Sequence, residues 1–240
     1  RNTWLHALFL SAMADNILNN SLVNMILAHN VGGPTGFDAI SNNQSINFEK
    51  HATGFTGMLY NIAAEDMTEN YRLDFPEAFS DTIEYANSNN VIKEINCPRI
   101  FGWKFKNEQK ESGILTNVTD TTYSISVNNA YNSDLLWTHW SAEDSLRAEI
   151  NGYDSLERSY QMGRNNITIP PFSISTCITV LPGDITEDHV LNVVDIVLII
   201  SFIINENTIT SKQFAISDIN QDGFVNVIDI VDIVNIILQQ

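Results

Sequence analysis

Oxygen-bearing side chains recur at fixed spacing near the carboxyl end of the chain. Asp218, Asn220, Asp222, Asn226 and Asp229 stand at positions 1, 3, 5, 9 and 12 of a twelve-residue stretch whose sixth residue is Gly223. Alternate side chains of such a loop converge on one centre, the glycine permits a sharp turn, and Phe224 at position 7 can offer its backbone carbonyl. With neither sulfur nor imidazole in the set, the chemistry suits a hard cation, and the spacing is that of a calcium loop. Asp229 falls on the first turn of a following helix, where it would close the shell.

Thirty-four residues earlier the pattern occurs in weaker form. Asp184, Asp188 and Asp195 keep the acids at positions 1, 5 and 12, Asn192 keeps position 9, and Val190 would offer its carbonyl. Thr186 at position 3 is a weaker neutral ligand. His189 stands where the other copy has glycine, so it must take up or avoid a left-handed backbone. The expectation is a weaker calcium site. Behind the loops, Val193–Val197 aligns with Val227–Val231, and Ile199 and Ile203 with Ile233 and Ile237. A repeat at this period predicts paired structural units. An Asp- and Asn-rich loop ahead of an apolar helix also serves as an N-cap with acids at the positive end of the helix dipole. Two copies in register favour the metal loop.

The elements that must position these loops differ along the chain. Trp4, Leu5, Leu8, Phe9, Ala12, Met13, Ile17 and Leu18 predict a helix, and Val23 to Leu27 a short buried strand ending at His29-Asn30 and a Gly-Gly-Pro loop. Phe55, Met58, Leu59, Ile62 and Ala63 predict a second helix. From about Arg72, alternating segments at 100–105, 112–117, 123–127 and 167–180 predict antiparallel β structure, a small sandwich. Pro170-Pro171 is expected where an edge or final strand enters the sheet. Trp137, His139 and Trp140 read as one strand with both tryptophans on one face, either a sugar platform or buried sandwich residues. Past Asp184 the helices carry apolar residues on nearly every side, from Ile196 to Ile204, more than mutual packing can cover.

Composition narrows the function classes. The chain has 240 residues, 44% of them hydrophobic, with 12 Lys and Arg against 29 Asp and Glu and a formal net charge of −17. That charge excludes a nucleic-acid or anionic-membrane partner for most of the surface and favours a divalent cation. The longest apolar run, Val190 to Ile204, is broken by Asn192, Asp195 and Ser201 and falls short of the roughly 20 residues of a membrane span. Cys97 and Cys177 cannot build a zinc site; they form one disulfide or remain small buried hydrophobes.

The paired loop-helix units from Gly183 to Leu238 resemble a type I dockerin. The resemblance implies a small all-α module with paired EF-hand-like loops that binds Ca²⁺ and docks a secreted enzyme onto a cohesin domain. The residues that read the partner in that family correspond to Val193, Val194, Val227 and Ile228, which are apolar here rather than hydroxylated. Residues 1 to 180, with helix, strand, helix and then a sandwich ending Ile-Pro-Pro-Phe-Ser-Ile-Ser, resemble the C-terminal end of retaining glycoside hydrolases of the arabinofuranosidase-like kind. There a (β/α)₈ barrel precedes the sandwich.

These resemblances imply a multidomain α+β chain: a barrel remnant over 1–71, an antiparallel β-sandwich over 72–182 and a dockerin over 183–240. A full barrel takes about 250 residues, and about 70 precede the sandwich, so the chain reads as the back end of a longer protein. Retaining enzymes need two carboxylates about 5 Å apart, and in the resembled family both lie on earlier strands. This fragment is therefore expected to be catalytically silent, with His29 and Asn30, at a barrel-strand end, the residues nearest to substrate. Polysaccharide is the implied substrate of the parent and the extracellular space its implied location. Two other functions fit the same residues: a non-catalytic carbohydrate-binding or adhesion protein with a calcium-stabilised anchor, and paired loops acting only as an intramolecular clamp on the sandwich.

Overall fold

The computed structural model describes residues 3–20, 32–33, 40–41, 52–76, 79–126, 130–142, 156–163, 166–204 and 208–239. The elements run α1 (Trp4–Leu18), β1 (Gly32–Gly33), β2 (Ile40–Ser41), α2 (Ala52–Ala64), β3 (Glu69–Arg72), β4 (Ser80–Ala86), β5 (Ile92–Pro98) and β6 (Ile100–Lys106). They continue with β7 (Glu111–Asn117), β8 (Tyr123–Ser126), β9 (Leu135–Ser141), β10 (Glu157–Met162), β11 (Asn166–Ile169), β12 (Ser173–Thr179), α3 (Val193–Ile203), α4 (Ser211–Ser217) and α5 (Val227–Leu238). The chain is mixed α+β. The strand expected at Val23–Leu27, and His29 and Asn30 after it, lie outside the described residues.

One sheet organises the middle of the chain, with strand order β10-β9-β12-β7-β6-β3. Strand alternation gives it two apolar faces. On one, Ile100, Leu115, Leu135, Trp137 and Cys177 meet Ile125, Ile167 and Ile169 of the β8–β11 pair, forming the sandwich core. Trp103, Phe105, Ile114, Trp140 and Ile174 occupy the other and meet Trp4, Leu8, Phe55 and Leu59 of α1 and α2. Each such side chain removed from water contributes about 1.5–3 kcal/mol. Polar pins fix the helices in place: Asp15 accepts from Arg72 at 3.1 and 2.8 Å and from the Trp103 indole at 3.0 Å, and Ser11 meets Thr116 at 2.7 Å.

One sequence expectation is corrected by the structure. Trp137 and Trp140 lie three residues apart, and a strand repeats every two, so they face opposite sides; both are buried, and they make no platform. The Ile-Pro-Pro-Phe segment leads, as expected, into the final strand, which is an interior strand of the sheet and not an edge. Pro170 and Pro171 lie in the turn between β11 and β12, outside both ladders, while β12 is an interior strand whose Ser175 pairs with Leu115 on one side and His139 on the other. Both cysteines are free, Cys177 buried in the sandwich core and Cys97 half-buried on β5.

The carboxyl-terminal helices join the same sheet without a spacer. Val180 donates to the Asp134 carbonyl at 3.0 Å, and Gly183 already donates to Ile216 of α4 at 2.9 Å. A third cluster combines Leu136 and Met162 of the sheet with Ile185, Leu191, Ile199, Ile216 and Ile233. Strand alternation puts Leu136 and Met162 on the face that carries Trp140, so α1 and α2 cover one part of that face and the terminal helices another.

Buried in the sheet, His139 contacts Ser175 at 2.8 Å, and burial pushes its pKa down to about 4 against a smaller opposing effect of a Gln161 hydrogen bond. The free imidazole titrates near 6.5. Between about pH 6.5 and 4 the unfolded chain therefore binds more protons, so stability present above 6.5 is lost as pH falls through that window. This group is expected to cost on the order of 2–3 kcal/mol across the interval. Urea melts at pH 7 and 4.5 check it: His139→Gln should be less pH-sensitive than the wild type, and equal sensitivity contradicts the assignment.

Candidate metal centre

Both oxygen-rich loops have the same backbone scaffold. The first-position aspartate accepts from the amides of positions 5 and 6: Asp184 from Asp188 and His189 at 3.3 and 2.9 Å, Asp218 from Asp222 and Gly223 at 3.1 and 2.9 Å. The fifth-position aspartate accepts from position 7, Asp188 from Val190 and Asp222 from Phe224, each at 2.9 Å. The twelfth closes the ring. Asp195 accepts from the Thr186 amide at 3.3 Å and the Asn192 amide at 3.0 Å, and Asp229 from the Asn220 amide at 3.4 Å and the Asn226 amide at 2.8 Å.

The ends of these loops are also helix starts. Asn192 and Asn226 are the N-caps of α3 and α5, accepting from Val194 at 2.7 Å and Ile228 at 2.8 Å, and each forms a reciprocal box with its twelfth-position aspartate. Such a cap contributes about 1 kcal/mol. The helix-cap reading and the metal-loop reading of these residues are thus compatible: Asp195 and Asp229 each cap a helix with one oxygen and gather the loop with the other.

What the scaffold leaves unbalanced is charge. Asp184, Asp195, Asp218 and Asp229 are buried, and among the described residues none has a cationic partner; the one ion pair of this segment, Lys212 to Glu187 at 2.6 Å, lies on the rim. Burying a carboxylate costs several kcal/mol unless it is compensated, and amide donors compensate only in part. Three acids or histidines do not converge on one point among the described residues. A cation would therefore draw on the mixed set of each loop: Asp218, Asn220, Asp222, the Phe224 carbonyl, Asn226 and Asp229 in one, and Asp184, Thr186, Asp188, the Val190 carbonyl, Asn192 and Asp195 in the other. An all-oxygen set around two unpaired buried carboxylates fits a hard divalent ion and supplies what the ion requires.

The loops differ where the sequence differs. Thr186 donates its hydroxyl to Asp184 and Asp195, each at 3.1 Å, whereas Asn220 bonds to Asp222 instead. His189 takes up the left-handed backbone at φ 66°, as Gly223 does at 85°, and position 4 is left-handed in both copies, Glu187 at 58° and Gln221 at 57°. The sequence reading missed α4, which precedes the second loop. Its signal was present: Thr210 and Gln213 form a capping box of the Thr-x-x-Gln kind.

Beyond the loops, α3 and α5 present matched apolar faces. Val193 and Val227 are both 66% exposed, and Val194 and Ile228 both 53%. Val190 and Phe224, Val197 and Val231, Ile200 and Val234, and Ile204 and Leu238 extend the match, each pair 34 residues apart. None of the described helices is long and apolar enough to cross a membrane.

Residues 182–238 match the family model of the Dockerin type I domain. No curated protein matches the chain. Among solved structures, a GH51 alpha-L-arabinofuranosidase from Thermotoga petrophila RKU-1 is 13% identical with a TM-score of 0.48, over 72% of this chain and 38% of that one. A glycoside hydrolase family 30 subfamily 8 xylanase, Xyn30A, from Clostridium acetobutylicum is 11% identical with a TM-score of 0.44, over 75% of this chain and 40% of that one. The chain thus spans well under half the length of either enzyme.

A paired substitution checks the loop geometry. Nothing lies within 4 Å of a Cβ built on Gly223, so Gly223→Ala should cost only the left-handed backbone, about 1 kcal/mol, and His189→Gly should return a similar amount to the first loop. Calorimetric melts of the two variants should move in opposite directions; movement in the same direction refutes the account.

Proposed function

Taking residues 182–238 as the type I dockerin domain that they match, we propose that this chain is the C-terminal part of a secreted polysaccharide-degrading glycoside hydrolase. Its dockerin binds Ca²⁺ in both loops and docks to a cohesin-type partner. The observation that carries the reading is the pair of loops with one hydrogen-bond scaffold and four buried carboxylates that have no cationic partner among the described residues. Calcium supplies the missing charge and fixes the register of α3 and α5. Asp218, Asp222 and Asp229 form the stronger site; the neutral Thr186 and the strained His189 make the first loop the weaker.

Docking uses the faces that the helices leave uncovered. Val193, Val194, Val227 and Ile228 lie at the loop ends and are more than half exposed, so the partner surface that they fit is apolar. Without hydroxyl or charged groups at these four positions, recognition rests on shape and burial.

The catalytic assignment belongs to the parent protein, divided as 1–71 for the barrel remnant, 72–182 for the sandwich and 183–240 for the dockerin. Support for a barrel remnant comes from α1, which is apolar on two sides: Trp4, Ala7 and Leu8 face the sheet while Leu5, Phe9 and Met13 are exposed, the pattern of a helix with neighbours on both flanks. His29 and Asn30 remain the substrate-proximal candidates of this part.

Two measurements test the proposal. Binding of the 240-residue chain to a panel of cohesin domains, by surface plasmon resonance with calcium or EGTA, should be calcium-dependent. The double variant Val194→Asp with Ile228→Asp should lower it at least a hundredfold, since each change places a charge in a desolvated contact. An undiminished response counts against the docking face. A protein extended upstream should hydrolyse a glycoside that the present chain leaves intact; hydrolysis by neither supports the carbohydrate-binding alternative.

A further inference from the structure

The two loops share a scaffold, yet their surroundings differ. β10 is an outer strand of the six-stranded sheet, and α4 lies along it. At the end of α4 a cleft of about 220 Å³ separates the sandwich from the dockerin, with Asp134, Met162 and Gly163 on one side and Asp218, Ile219 and Gln221 on the other. A second cleft, between β10 and the start of α4, is lined by Arg158, Tyr160 and Phe214 among others. No first-loop residue lines either cleft.

Charge separates the loops further. At position 4 the first loop has Glu187, which holds the Lys212 ammonium, so a cation already sits at its rim. In the second loop Gln221 takes that position and faces the cleft. Among the described residues that line the cleft, the charged group opposite is Asp134, a further carboxylate on the lining that includes the buried Asp218. Like charges across a partly closed cleft repel more strongly than in open water, and a divalent ion among the three aspartates of the second loop would relieve most of that repulsion. Apolar packing alone does not divide the loops, since Ile185 and Leu191 of the first share the cluster that includes Leu136 and Met162.

Resting on the calcium reading above, we propose that the ion of the second loop, unlike that of the first, fastens the dockerin to the sandwich. The joint runs through the cleft between Asp134 and Asp218 and shields the outer strand β10. Stability and binding are linked, so an ion that prefers the closed joint must close it.

Hydrogen exchange of the Glu157–Met162 amides in the full 240-residue chain, with calcium and with EGTA, tests this. Asp188→Ala and Asp222→Ala are corresponding variants: both side chains are exposed and each loses its 2.9 Å bond from the amide two residues on, Asp222→Ala losing in addition the 3.1 Å bond from the Asn220 side-chain amide. Calcium should slow exchange of these amides at least tenfold in the wild type and in Asp188→Ala, and less than twofold in Asp222→Ala. Asp134→Asn should shrink the effect by slowing exchange in EGTA. Equal calcium protection in the two loop variants, or none in a wild type that does take up calcium, overturns this inference alone. A wild type that takes up no calcium overturns the calcium reading and this inference together.

Discussion

Four buried carboxylates, without a cationic partner among the described residues, set the terms for the last quarter of the chain. Asp184, Asp195, Asp218 and Asp229 draw amides inward from both sides of each loop, and the loop has little freedom left once those bonds are made. The twelfth-position aspartates also begin α3 and α5, so loop closure and helix register are one event. From that register follows the placement of Val193, Val194, Val227 and Ile228 on outer faces and of Ile199 and Ile233 in the shared core. Compensating the buried charge thus governs which apolar residues are inside and which remain for a partner.

The sheet imposes the second constraint. It has two apolar faces, one closed by β8 and β11, the other divided between α1 and α2 and the terminal helices. A dockerin seated this way is part of the body of the protein. Gly183 marks how close the seating is: a Cβ there would stand 2.9 Å from Ile233, and the residue adopts φ 86°, so both the contact and the backbone require glycine. An outer strand such as β10 would otherwise present unpaired backbone groups, and α4 lies along it.

Much of this was legible in the sequence because it is local or periodic. The 34-residue repeat carried the loops and the helices behind them; Trp4, Leu8, Phe55 and Leu59 marked α1 and α2 by spacing; alternation marked β6, β7 and β12. Reasoning on Trp137 and Trp140 failed by one residue of parity, which in a strand exchanges faces. The interior place of β12 depends on pairing with β7 and β9, residues 34 to 66 positions away, which no local pattern encodes. α4 is only seven residues long, too short for a periodic signal, and its capping box was the sole cue. The joint between sandwich and dockerin arises from Leu136 and Met162, which look like any other strand residues until the fold brings them to Ile216.

Titration calorimetry of the whole chain with calcium, after exhaustive chelation, bears most directly on the central claim that buried uncompensated carboxylates form two ion sites. The account predicts two bound ions of unequal affinity, the tighter one lost in Asp222→Ala. Absence of heat at any calcium concentration up to millimolar, with an unchanged melting temperature, would contradict it.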